Sequence, residues 1–270
     1  MIRLMFMDER LAHRKERAAL RATALTCLLV DQAEHSRLRD RFYALVRDAI
    51  SLEPNVIPPP PEIHGMNLFP ESSDGQRLAF LKGLVSLATD LGFSIYRIGY
   101  RGNRDKFMQG NDEREVLPLC FMSIQFCLQE DDPKSVVWPI MELDRGHKKQ
   151  DQNFSGALQR LDWYAGLIDP MNLTIDNRRL GEVLYHSKQS AYGAAVDCFS
   201  YLLHLRFRRN SGEKMSPFKD ELADIAGTLN PIIRRDEIID IKWGEPPIGY
   251  VSDGPIRYAY PVTPSDDQPI

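Results

Sequence analysis

The sequence predicts an α/β domain with a C-terminal extension, and three observations carry that prediction. Short apolar runs of strand length alternate with longer segments of helical periodicity over some 200 residues. The chain has 270 residues, room for one large domain or two small ones with a full core. Its 43% hydrophobic and 27% charged residues match an ordinary globular protein and exclude wholesale disorder.

The elements follow in order. Arg3–Met7 is a short apolar run closed by Asp8 and Glu9, a strand with carboxylates at its C-terminal end. Residues 10–22 are alanine-rich and charged, five basic residues against one acid, with helical propensity. Thr23–Asp31 is a second buried strand. Over Gln32–Leu52, apolar Leu38, Phe42, Leu45, Val46 and Ala49 recur at helical spacing. Pro58–Pro61 end that region, and Glu62-Ile63-His64-Gly65 begins a short extended segment. A helix is expected over Gln76–Leu91, an alternating strand over Phe93–Tyr100, an apolar-faced helix over Glu113–Gln129 and a strand over Ser135–Leu143, ending at Asp144. Next come a helix over Gln152–Gly166, a short strand over Glu182–His186 and a helix over Gln189–Phe207 carrying Asp197. A helix over Ser216–Leu229, an extended Ile238–Ile241 and a tail from Gly244 complete the chain; the tail holds six of the 18 prolines. The organisation is a domain over 1–208 and an extension over 209–270.

Charge and cysteine usage narrow the function classes. Thirty-four basic residues against 38 acidic give a net charge of −4, which argues against coating DNA by charge alone. An enzyme that touches a few phosphates remains compatible with it. No apolar run approaches the ~18–20 residues of a membrane span. Met1–Glu9 lacks the length and cleavage site of a signal peptide, so the expected location is the cytoplasm. Cys27, Cys120, Cys127 and Cys198 form no Cys-x-x-Cys pair and read as reduced core residues. Cys120 and Cys127, seven apart, are expected to share a buried face. Gly-rich phosphate loops and a Gly-x-Ser-x-Gly elbow are both missing from the sequence.

Three acids stand where mixed α/β sheets place active sites. Asp8 and Asp144 fall at strand C-terminal ends. Asp197 is the odd acid in the apolar stretch Ala194-Ala195-Val196-Asp197-Cys198-Phe199. It is either a helix-face acid at a solvent edge or a buried carboxylate that needs a partner or a metal.

The order of four landmarks goes further: 2–9 (IRLMFMDE), 62–65 (EIHG), 142–146 (ELDRG) and 187–197 (SKQSAYGAAVD). Over about residues 1–208 this arrangement resembles the prokaryotic "domain of unknown function 3800" family. That resemblance implies a ribonuclease H-like mixed sheet flanked by helices, and a hydrolase acting as a nuclease on nucleic-acid phosphodiesters. Defence against mobile elements is a role such families tend to have. It implies Asp8, Glu9, His64, Asp144 and Asp197 as catalytic residues, with Asp8, Asp144 and Asp197 holding Mg²⁺ or Mn²⁺. Hard oxygen ligands from separate elements around an open site suit such an ion. The partner is then a nucleic acid and not a membrane.

The sequence also departs from the family. Arg10-Leu11 stands where the family has Ser-Gly, and Ala194 replaces the Gln of its Gln-x-x-Asp helix. These departures open the alternative of a catalytically degenerate nucleic-acid- or protein-binding module. His64 reads as an acid–base group near the metals or as a structural residue bonded to a carboxylate. Arg145 reads as a phosphate contact or as a neutraliser of the acids. Tyr96, Tyr100, Arg97, Arg101 and Arg104 could meet nucleic acid or form the exposed face of a strand. His13, His35, His147, His186 and His204 have no metal-motif spacing and read as surface or edge residues.

Overall fold

The computed structural model describes residues 2–12, 20–51, 63–65, 68–102, 116–143, 154–156, 183–187 and 190–241. Six strands form one mixed sheet: β1 (Ile2–Arg10), β2 (Thr23–Asp31), β3 (Ser94–Gly102), β4 (Val136–Leu143), β5 (Leu184–Ser187) and β6 (Ile233–Ile241). Their spatial order is β5-β4-β1-β2-β3-β6. β1, β2 and β3 form an antiparallel meander, whereas β4 lies parallel to β1, β5 parallel to β4 and β6 parallel to β3. The α/β class read from the sequence is therefore present as a mixed sheet between helices.

Alternation sorts the sheet into two faces. Phe6, Leu28, Val30 and Ile95 enter a core with α1 (His35–Ala49), α2 (Asp74–Asp90), α4 (Ala191–Asn210) and α5 (Pro217–Gly227). Met5, Met7, Leu25, Cys27 and Ile98 enter a second core against α3 (Leu117–Asp131). All four cysteines are buried as thiols. Cys120 and Cys127 of α3 share that second core, as their spacing implied.

Side-chain caps set several helix starts. Ser73 and Gln76 form a capping box at α2, and the Ser190 and Ser216 hydroxyls accept from the N–H groups of Gly193 and Lys219. Pro139 sits inside β4, where its missing donor needs an unpaired side. Among the described residues β5 begins to pair at Ile140, and none of them pairs with β4 at Pro139 on that side.

Two strands run further than their apolar runs. β1 does not stop before its carboxylates: Asp8, Glu9 and Arg10 stay in the ladder opposite Thr26, Leu25 and Ala24. β6 begins at Ile233, five residues before its apolar run, because it pairs with β3 from Ile95 to Gly102. The two elements after residue 208 thus build onto the same body, with α5 packed on α4 and β6 extending the sheet. Within residues 10–22, Arg10 belongs to β1, and residues 13–19 lie outside the described residues. Most of the helix expected over 152–166, and the tail beyond 241, lie outside them too. None of the described helices is long and apolar enough to cross a membrane.

Candidate functional site

The site is built where α4 crosses β1. Asp8 is in the same alternating set as Phe6 and so faces α4, at 4% exposure. Asp197 stands in the second turn of α4, which packs on β1 and β2. The Cys198 thiol feels the charge of both acids. Burial raises its pKa well above the ordinary value, and the negative charges of Asp197 and Asp8 raise it further.

His64 and Gly65 close the site from a separate segment. The His64 Nδ1 lies 3.4 Å from Asp197 Oδ2, and the Gly65 N–H donates to the same oxygen at 3.3 Å. This segment rests directly on the helix. A Cβ at residue 65 would come 2.7 Å from Tyr201 Cβ and 3.0 Å from the Asp197 carbonyl oxygen, so only glycine permits the approach. The carboxylate-bonded reading of His64 matches this geometry.

The remaining expected residues are placed differently. Glu9 pairs with Leu25, a member of the α3-side core, so its position is on the opposite face from Asp8. Asp144 follows the last residue of β4 and, with Arg145, lies outside the described residues. Among the described residues, no three His, Cys, Asp or Glu side chains form a group that could hold a metal.

Three readings of basic and aromatic residues need correction. Tyr96 and Tyr100 are buried against α3, and the Tyr100 hydroxyl bonds to Ser123 at 2.6 Å. Arg97, 4% exposed, is no part of a solvated strand face. It lies in the register row Asp8–Thr26–Arg97–Asp236, which crosses the sheet on the α4 side. Its Nε is 2.7 Å from Asp236 Oδ1, while Arg206 donates to Asp236 Oδ2 at 2.7 Å. The Phe207 ring lies 6.0 Å from the Arg97 guanidinium carbon, a cation–π distance. Burial lowers the pKa of Arg97, and Asp236 works to raise it.

His204 is the third correction, since it is buried at 8% exposure and is neither a surface nor an edge residue. It lies seven residues after Asp197, on the same stripe of α4. Burial, with the positive charges of Arg10, Arg97 and Arg208, lowers its pKa to about 3 and keeps the ring neutral. The stripe Asp197–Tyr201–His204–Arg208 therefore runs from an acidic end to a basic end. The spacing from Asp197 to His204 was visible in the sequence; the pairing of Arg97 with Asp236 was not, because it depends on β3 and β6 being neighbours.

No protein-family model matches this sequence, and neither a curated protein nor a solved structure matches it significantly.

Proposed function

We propose that this protein is a divalent-metal-dependent hydrolase of nucleic-acid phosphodiester bonds, built on a ribonuclease H-like sheet. One observation carries the reading. The parallel neighbours β1 and β4 lead at their C-terminal ends to Asp8 and Asp144, and the Asp197 helix packs across β1. The core order β3-β2-β1-β4-β5, with β2 antiparallel to both its neighbours, supports the same reading.

The donor chemistry suits Mg²⁺ or Mn²⁺. Asp8 and Asp197 are hard oxygen donors from a strand and a helix, and Asp144 would be the third. When bound, two such ions supply the charge that activates an attacking water and stabilises the leaving oxygen. The protein's own groups prepare that site. The Gly65 N–H and His64 Nδ1 both aim at Asp197 Oδ2 and orient the carboxylate. With Nδ1 on the carboxylate, proton exchange with substrate falls to Nε2 of His64. Glu9, on the opposite face, has no part in this scheme.

Arg10 favours a second reading. It is carried on the α4 side, two residues beyond Asp8, where its positive charge acts on Tyr201 and His204 of α4. A catalytically degenerate nucleic-acid- or protein-binding module would use that charge without a metal. Calorimetry with Mg²⁺ and Mn²⁺ separates the two: uptake supports the hydrolase, and no uptake supports the module.

The decisive assay is a panel of single- and double-stranded DNA and RNA, with and without Mn²⁺. Cleavage should require the metal and vanish in Asp8→Asn, which keeps the shape of a buried side chain and removes its charge. An Asp8→Asn protein that cleaves as fast as wild type would overturn the assignment.

A further inference from the structure

Among the described residues, four large apolar side chains are exposed: Ile2, Tyr43, Trp138 and Leu184. Single exposed apolar residues are ordinary, whereas a cluster of them marks a contact surface. Three of these four cluster. Ile2 and Leu4 of β1 lie beside Val136 and Trp138 of β4, and Leu184 of β5 lies beside Ile140. Phe6, the neighbour of Ile140, enters the core on the α4 side, so alternation turns Ile2, Trp138 and Leu184 to that same face. They form a diagonal ridge across three neighbouring strands, 46%, 40% and 39% exposed. The cover given by α4 ends short of them: the helix packs on β1 and β2, and its Tyr192 ring stacks on Phe6 at 4.6 Å.

We propose that this ridge is the interface of a two-fold symmetric dimer, with Trp138 at the axis and Ile2 against Leu184 of the partner subunit. The dimer is independent of the hydrolytic reading.

The character of the surface selects a second copy of the chain. Ile2, Leu4, Trp138, Ile140 and Leu184 carry no charge, and the Trp138 indole N–H is their one side-chain donor. An occupant must therefore present flat, uncharged surface, which the same face of another copy supplies. A two-fold axis through Trp138, lying between the two sheets and across the ridge, exchanges the ends of the ridge. Each end then meets the opposite end, and every contact is made twice. Two such faces pack as sheets about 10 Å apart, room for one layer of interdigitated side chains. Area sets the strength. Three strands about 4.8 Å apart give a patch on the order of 300 Å². A standard interface takes about 800 Å² from each partner, so this dimer is weak and reversible, with a Kd in the micromolar range.

The test uses the full chain in sedimentation velocity from about 1 to 300 μM, a range that brackets micromolar dissociation. The weight-average mass should climb from monomer toward dimer and no further. Trp138→Lys should weaken association at least about thirtyfold, as loss of a central tryptophan anchor does. Leu184→Glu should weaken it in the same direction, and Tyr43→Lys on α1 should leave it unaltered. Circular dichroism melting checks each variant, and if Trp138→Lys fails to fold, Leu184→Glu decides the matter. Trp138→Cys places a thiol at the proposed axis. Under mild oxidation it should yield a disulfide-linked dimer that wild type, with its four cysteines buried, does not. A monomer at every concentration would overturn the dimer and leave the ridge to another protein. Association unchanged by both Trp138→Lys and Leu184→Glu would overturn it as well. Growth beyond the dimer, or no cross-link in Trp138→Cys, would overturn the two-fold at Trp138.

Discussion

Gly65 shows how much one absent methyl group can decide. Its N–H reaches Asp197 only because nothing stands between the segment and α4. Gly65→Ala should therefore cost about 1–3 kcal/mol, since the new Cβ would meet Tyr201 and the Asp197 carbonyl inside normal contact distance. The urea midpoint measures that cost. His64 should lose its hold on Asp197 in the same variant, so the proposed metal-dependent activity should fall with stability. His204 makes a separate prediction about pH. Its pKa is about 3 in the folded protein, against 6.5 when exposed. Between these values the unfolded chain binds the proton and the folded chain does not, so stability must rise with pH. The contribution is complete above pH 6.5 and is lost as pH falls through the window toward 3. Its slope is at most about 1.4 kcal/mol per pH unit. In His204→Leu the wild-type decline in urea midpoint between pH 6.5 and 4 should flatten. An identical decline in both proteins would show that other groups carry it.

At the level of elements, what the sequence revealed tracks how much of each element is apolar. β2 and β4 announce themselves as the runs Leu25–Val30 and Val136–Met141, and α4 by its long apolar face around Asp197. β6 does not announce itself, because Arg234, Arg235, Asp236 and Glu237 look like a solvated stretch. Their partners come from elsewhere: Arg235 pairs with Glu130 and Asp131 of α3, and Asp236 with Arg97 of β3 and Arg206 of α4. A charge whose partner lies on another element, 30 residues away or more, cannot be recognised as paired from its own neighbourhood. The site follows the same rule. Asp8, His64 and Asp197 were legible as types in an ordered pattern, whereas the Arg97–Asp236 pair required knowledge of strand order. The face of Glu9 was legible in principle from simple alternation once β1 is extended past Met7. A chain ending at Asn210 tests the role of the last elements. It would lack the buried Leu222, Ala223, Ile225 and Ala226 of α5 and would leave Arg97 without Asp236. Removing one partner of a buried ion pair alone costs about 3–5 kcal/mol. The truncated chain should show no cooperative thermal transition by circular dichroism; a sharp melt would make residues 211–241 dispensable for folding.

For the molecule as a whole, the sheet divides by how its strands meet. The meander β1-β2-β3 is contiguous along the chain apart from its helical insertion, but β1 gains its second neighbour only through the register Ile2–Val136 to Met7–Met141. That arrangement brings Asp8 to the side of the strand leading to Asp144, and it also sets a clock on synthesis. β1 emerges from the ribosome first, yet β4 follows some 130 residues later, roughly 6–26 s at about 5–20 residues per second. Throughout that interval one edge of β1 offers unsatisfied backbone groups beside the side chains of Met5, Phe6 and Met7 to any other strand within reach. A ribosome that stalls before Val136 thus leaves behind a chain with an adhesive edge, and the strand that carries the first acid of the site is the one a nascent-chain chaperone has most reason to cover.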